Sequence, residues 1–215
     1  MNPIAHLDAM IYDHPELEPV RQALLSAFHL LADCFAAGGK LLLCGNGGSA
    51  CDCEHIAGEL MKGFLLRRPL SAAETEALAL QGAEGTLLAE TLQRGLPVLV
   101  LSGLTGLSTA FANDVDPALA YAQQAHVYAR EGDVLLGIST SGNARNVRLA
   151  ALAAKARGAK VIALTGQGGG KLAAVCDLLV DVTQTETYRN LPCAGAAPYA
   201  VPLPVHDAGS TLFWK

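Results

Sequence analysis

The feature that most constrains this chain is a rhythm. Short unbroken apolar runs recur at Lys40–Cys44, Val98–Leu101, Val134–Ile138, Val161–Leu164 and Leu178–Val182. Runs of that length, apolar on every position, read as strands covered on both faces, and such strands belong to parallel sheets. Between them lie helical patterns over residues 49–63, 71–93, 117–130, 143–157 and 170–176. Strand alternating with helix predicts an α/β fold, a three-layer sandwich with a five-stranded parallel sheet between helices. Ahead of the first strand, Val20, Leu24, Leu25, Phe28, Leu31 and Phe35 repeat at helical spacing, and Gly38-Gly39 ends that helix. No internal repeat and no interdomain linker is visible.

Composition agrees. The chain has 215 residues, 51% hydrophobic and 16% charged, enough apolar side chain for one domain with a large core and too much for wholesale disorder. A net charge of −5 leaves no basic footprint for nucleic acid. The longest uncharged stretch, Gly95 to Asn113, is interrupted by Pro97, Gly103, Gly106 and hydroxyl residues, so it does not read as a membrane span. The start, Met-Asn-Pro-Ile-Ala-His, has neither the basic nor the apolar region of a secretory signal. The six cysteines form no Cys-x-x-Cys pair and read as free, mostly buried thiols of a reducing cytoplasm.

In an open parallel sheet, ligands bind beyond the carboxyl ends of the strands. Three segments there carry chemistry. Cys44-Gly-Asn-Gly-Gly-Ser49 follows the first strand and precedes a helix; its glycines allow backbone N–H groups to approach an anion, and Ser49 reads as the helix cap. It is neither a P-loop nor a dinucleotide fingerprint, and a tight turn with a cap competes with the ligand reading. Ile138-Ser-Thr-Ser-Gly-Asn143 sets three hydroxyls, Ser139, Thr140 and Ser141, before another helix, which suits a phosphate; plain helix capping is the rival. The absence of a nearby Lys favours a sugar phosphate over a nucleoside triphosphate. Phe111-Ala-Asn-Asp114 reads as a loop whose Asn113 and Asp114 bind sugar hydroxyls or shape a turn. On the helix after the glycine loop, His55 and Glu59 stand one turn apart on one face; the carboxylate suits a base, the pair suits half of a zinc site, and a solvated pair is the bland alternative.

Taken together, GNGGSACDCEHIAGEL, LSTAFANDVD, GDVLLGISTSGNARNV and VIALTGQGGGKLA resemble the phosphoheptose isomerase family of sugar isomerase (SIS) domains, from about residue 20 to Arg189. The resemblance implies a flavodoxin-like sheet and a cytoplasmic homotetramer whose N-terminal helices, within residues 1–39, pack between subunits. It implies an SIS domain over 40–189 and isomerisation of sedoheptulose 7-phosphate to D-glycero-D-manno-heptose 7-phosphate, feeding lipopolysaccharide or nucleotide-heptose synthesis. By motif, Asn46, Gly47, Gly48 and Ser49 would contact substrate, as would Asn113 and Asp114. Ser139, Thr140 and Ser141 would hold the phosphate. His55 and Glu59 would be zinc ligands in members that bind zinc, and Glu59 also the base.

Two departures stand out. Where the family's phosphate loop carries a further Ser, this chain has Ala144, a lost donor worth about 1 kcal/mol. After Thr185-Glu-Thr-Tyr-Arg189 the family continues with a helix reading V-Q-E-x-H-L-x-x-x-H. Its Gln and last His complete the metal site, and that His is the acid. This chain instead reads Asn190-Leu-Pro-Cys-Ala-Gly195, with no charged residue from Asn190 to Val205 and four of its ten prolines between Pro192 and Pro204. Such a stretch, 190–215, reads as an irregular tail. Codons compatible with it spell VQELHLMPFHCLCTMLEAHFF in another frame, and deleting one copy of a tandem AAACCTACCG turns TETYRNLPCAGA into TETYRVQEL. The tail thus reads as the product of a frameshift, leaving zinc an incomplete ligand set unless His206 folds back. The rival to an isomerase is a non-catalytic SIS module, a sugar-phosphate sensor or a replication-initiator partner. A flavodoxin-like nucleotide binder comes third, because no aromatic in the glycine loops would stack on a ring.

Overall fold

The computed structural model describes residues 3–63 and 67–182. Helix α1 (Pro3–Asp13) and a 3-10 turn (Pro15–Val20) lead into α2 (Arg21–Ala36), and Gly38 at φ +78° ends α2. Then follow β1 (Leu41–Cys44), α3 (Gly48–Met61), α4 (Ala72–Ala79), α5 (Ala83–Thr91), β2 (Val98–Val100), α6 (Thr105–Asp114), a 3-10 turn (Pro117–Leu119), α7 (Ala120–Tyr128), β3 (Val134–Ser139), α8 (Arg145–Ala156), β4 (Lys160–Gly166) and β5 (Leu178–Val182). The strands form one parallel sheet in the order β2-β1-β3-β4-β5. The predicted three-layer α/β sandwich is the observed one.

Although the strands are largely apolar on both faces, their side chains still alternate between two cores. Leu41 and Leu43 of β1, Val134 and Ile138 of β3 and Ile162 of β4 pack with Phe28 and Phe35 of α2 and with Cys53, Ala57 and Leu60 of α3. Leu42, Cys44, Leu135, Val161 and Ala163 point the other way, against Ala125 of α7 and Val147, Ala150, Ala151 and Ala154 of α8. The alanine stripe draws α8 onto the sheet: a Cβ at Gly137 of β3 would lie 2.8 Å from the Val147 side chain. Close packing there fixes where the start of α8 stands over the end of β3.

Some expected elements differ. The helix anticipated over residues 71–93 is two, α4 and α5, because Gly82 at φ +87° turns the chain between them. Both pack chiefly on each other, and Gly85 is their single buried residue. The helix anticipated over 170–176 is only a 3-10 turn, Gly170–Leu172, because Gly168, Gly169 and Gly170 all take positive φ. The helix expected over 117–130 starts as 3-10 and closes at Tyr128. Among the described residues, no helix is long and apolar enough to cross a membrane. The tail 190–215, including His206, lies outside the described residues.

Candidate active site

Strand β1 feeds elements to β2 on one side, and β3 lies on its other side, so the sheet switches direction between β1 and β3. The crevice outside such a switch point is where open α/β sheets bind ligands. The loops after β1 and β3 both open there.

The glycine loop is held from below. Gly45 is buried, and a Cβ there would lie 2.7 Å from the Ser49 carbonyl oxygen. The Tyr121 hydroxyl of α7 donates to the Gly45 carbonyl at 3.0 Å, and burial pushes that phenol's pKa up. Gly47, at φ +55° and ψ −123°, adopts a backbone conformation that side chains rarely take, and it is the residue that caps α3. This corrects the expectation for Ser49. The turn at Gly47 starts the helix at Gly48, so Ser49 lies inside α3 and is buried. Asn46, Gly47 and Gly48 are exposed at the crevice.

The hydroxyl loop is pinned by backbone contacts. Gly142, at φ +64°, stands so close to the Gly166–Lys171 segment that a Cβ would lie 2.0 Å from the Gly169 carbonyl oxygen. Gly166 N donates to Thr140 O at 2.9 Å, Leu172 N to Gly142 O at 2.9 Å, and Lys171 N to the Asn143 side-chain oxygen at 3.2 Å. The rival reading, that the hydroxyls serve as caps, is not met: Ala144 is the N-cap of α8, and it is Asn146 Oδ1, not a loop hydroxyl, that accepts from Val147 N at 3.0 Å. The Ser141 hydroxyl accepts from Asn143 N at 3.2 Å, and its carbonyl from the Asn143 side-chain amide at 2.8 Å. Ser139 is buried and paired in register with Thr165, whose own hydroxyl is buried without a partner.

Asn113 and Asp114 are not in a loop. They are the last two residues of α6, joined by a 2.6 Å bond from the Asn113 amide to the Asp114 carboxylate, and both are exposed. Helix α6 buries none of its residues, so no apolar stripe announced it.

His55 is exposed and Glu59 half-buried on α3. Beside Glu59 comes a residue that sequence reasoning missed, Arg68. It is 7% exposed, donates to the Leu60 carbonyl, and keeps its Nε without a partner. Burial lowers its pKa, while the Glu59 charge opposes that shift. An Arg before a Pro gave no signal of burial. As for a metal, no three His, Cys, Asp or Glu side chains among the described residues are grouped to hold one. Two candidate ligands fall short of the three protein ligands a catalytic zinc takes, so the described residues do not by themselves fit zinc.

A parallel α/β sheet with a glycine loop and a hydroxyl loop at its switch point defines the class: an open-sheet α/β protein. The SIS domain model matches residues 16–95 and 83–166. The phosphoheptose isomerase of Desulfovibrio desulfuricans is 41% identical over 157 residues, covering 73% of this chain and 63% of that protein. The one from Rhodospirillum rubrum is 39% identical over 165 residues, covering 77% and 74%. The solved phosphoheptose isomerase of Neisseria gonorrhoeae superposes with a TM-score of 0.65 at 34% identity, covering 87% of each chain. The chain belongs to the SIS-domain family, among the phosphoheptose isomerases. It spans 63% and 61% of the length of two of these relatives, from Desulfovibrio desulfuricans and Nitratidesulfovibrio vulgaris.

Proposed function

We propose that the fold is built for aldose–ketose isomerisation of a sugar phosphate, sedoheptulose 7-phosphate to D-glycero-D-manno-heptose 7-phosphate. The observation that carries this reading is the hydroxyl loop, which follows β3 at the switch point and whose hydroxyls cap no helix. Ser139, Thr140 and Ser141 hold the phosphate, assisted by the start of α8. The backbone of Asn46–Gly48 with Ser49, and the α6 end at Asn113 and Asp114, receive the sugar. Glu59 removes the proton from C1 of the ketose, giving an enediol. Returning that proton to C2 while the O1 proton passes to O2 completes the aldose.

The second step needs an acid near the carbonyl oxygens. No residue after Arg189 matches the family's acid, and a missing general acid costs about 10²–10⁴-fold. The reading therefore has two parts: a binding site that works, and turnover suppressed by the frameshifted tail. Zinc, held by His55 and Glu59 with ligands from the family's lost helix, belongs to the repaired chain. A cytoplasmic homotetramer built on residues 1–39, serving lipopolysaccharide or nucleotide-heptose synthesis, completes the proposal. The absence of the family's Gln/His helix after Arg189 also favours a second reading, a non-catalytic sugar-phosphate sensor or replication-initiator partner.

The test compares heptose 7-phosphate formation by the chain as it stands and by a version whose residues 190–215 are replaced with VQELHLMPFHCLCTMLEAHFF. Negligible turnover by the first and a gain of at least about 10²-fold in the second is expected. Robust turnover by the unaltered chain refutes the suppression. Binding without turnover in both favours the sensor.

A further inference from the structure

The first turn of α8 carries two side chains that reach out to the other two segments at the crevice. Asn146 and Asn46 pair amide to amide across 100 positions of sequence: the Asn46 Nδ2 donates to the Asn146 Oδ1 at 2.9 Å, and the Asn146 Nδ2 donates back at 2.8 Å. The Asn146 Oδ1 also accepts from Val147 N at 3.0 Å, which fixes the way that amide faces. One residue earlier, the Arg145 guanidinium donates to Asp116 Oδ2 at 2.8 Å. Asp116 lies two residues beyond Asp114, and its other oxygen accepts from Ala118 N at 2.9 Å, capping the turn that follows α6. Adjacent residues of one helical turn thus tie down the glycine loop and the end of α6.

We propose that the first turn of α8 is a brace that sets the sugar-side segments relative to the phosphate loop, with Asn146 and Arg145 as positioning residues and the Asn46 side chain as a tie rather than a substrate ligand. The inference rests on the sugar-phosphate reading of these loops but sharpens it. One N–H and one lone pair of the Asn46 amide are engaged by Asn146, which fixes the side chain as a tie and leaves the backbone as what Asn46 chiefly offers a ligand. Because α8 is seated on β3 through Val147 and its alanines, the brace refers the whole crevice to the sheet. The Asn pair makes two neutral hydrogen bonds and carries most of the effect; the exposed ion pair adds less.

Two measurements on the full chain decide it. The first is amide exchange of the unliganded protein, native and with Asn46→Ala, Asn146→Ala and both. Amides of residues 45–50 exchange about tenfold faster in each single variant and no faster in the double, while those of residues 134–139 stay as protected as in the native chain. Exchange at 45–50 that is unchanged, that adds in the double variant, or that rises together with 134–139 overturns the brace. In Arg145→Met, a smaller rise confined to residues 113–118 is expected, and none there removes Arg145 from the proposal. The second measurement is calorimetric binding of sedoheptulose 7-phosphate and of inorganic phosphate. Asn46→Ala and Asn146→Ala lose the same, about tenfold, for the sugar phosphate and keep inorganic phosphate within about twofold. A larger loss for Asn46→Ala than for Asn146→Ala makes Asn46 a direct ligand and contradicts the tie. No binding of the sugar phosphate by the native chain sinks the functional reading, and the exchange result still decides the brace.

Discussion

The two edges of the sheet use polar residues in opposite ways. At the amino edge, Asp133 is 3% exposed and both carboxylate oxygens have work: they accept from Lys40 N at 2.9 Å, from the Lys40 ammonium at 2.6 Å and from Arg130 N at 2.8 Å. Close by, burial and then the Asp133 charge push the Cys34 thiol up to about 11, keeping it protonated and inert. At the carboxyl edge, Ser139 and Thr165 sit side by side, the Thr165 hydroxyl unpartnered, and the hydroxyl loop caps no helix. One edge is closed on itself and joins β1 to β3. The other is held rigid by its backbone while its side chains wait. If the carboxyl edge receives the ligand as proposed, changes at the two edges should have separable consequences for stability and binding.

The largest effect is expected where backbone holds backbone. Gly142→Ala places a Cβ at 2.0 Å from the Gly169 carbonyl and forces an unfavourable φ of +64°, so the hydroxyl loop must shift. Strain of about 3 kcal/mol, relieved by moving that loop, lowers affinity for sedoheptulose 7-phosphate by about 100-fold. Calorimetry checks this, and near-native affinity would show that the loop does not need its observed path. Asp133→Ala sharpens the contrast. It leaves a half-buried Lys40 ammonium and two amides without their acceptor and should lower unfolding stability by about 2 kcal/mol in denaturant titration. Sugar-phosphate affinity should stay within about twofold. If binding fell in step with stability, the two edges would not be independent.

The smallest effect concerns pH. The Ala118 amide first, and then Arg145, hold the Asp116 carboxyl below the usual carboxylate range. A carboxyl depressed in the folded state contributes stability above its unfolded pKa, about 3.9, and loses it as pH falls through the lower folded value. The tie between α8 and the α6 end therefore persists at pH 5 and fades only in stronger acid. Amide exchange at residues 113–118, native against Arg145→Met, should differ at pH 5 and converge as Asp116 protonates.

The strands were legible because burial on both faces demands apolar residues at every position, and glycines after Cys44 and Ser139 marked where loops open. Helix α8 was legible for the same reason, through Val147 and its alanines. Helix α6 was not, because it buries nothing and carries Gly106 with Ser108 and Thr109. The break at Gly82 was invisible because glycine is tolerated within a helix pattern as often as it ends one. At the site, residue types could be read from their neighbours in sequence, so Ser139, Thr140 and Ser141 stood out. Partnerships could not. Nothing local to Asn46 announces Asn146, and nothing in Tyr121 announces Gly45. Those pairings exist only once parallel strands bring distant loops to one edge.

The central claim is that the uncharged hydroxyl loop after β3 receives the phosphate of a sugar phosphate. Its most direct test is calorimetric titration of the native chain and of the Ser139→Ala, Ser141→Ala double variant with sedoheptulose 7-phosphate. The native chain should bind, and the variant, without two hydroxyl donors, should bind at least about tenfold more weakly with its thermal midpoint little changed. Equal affinity in the two proteins would contradict the claim.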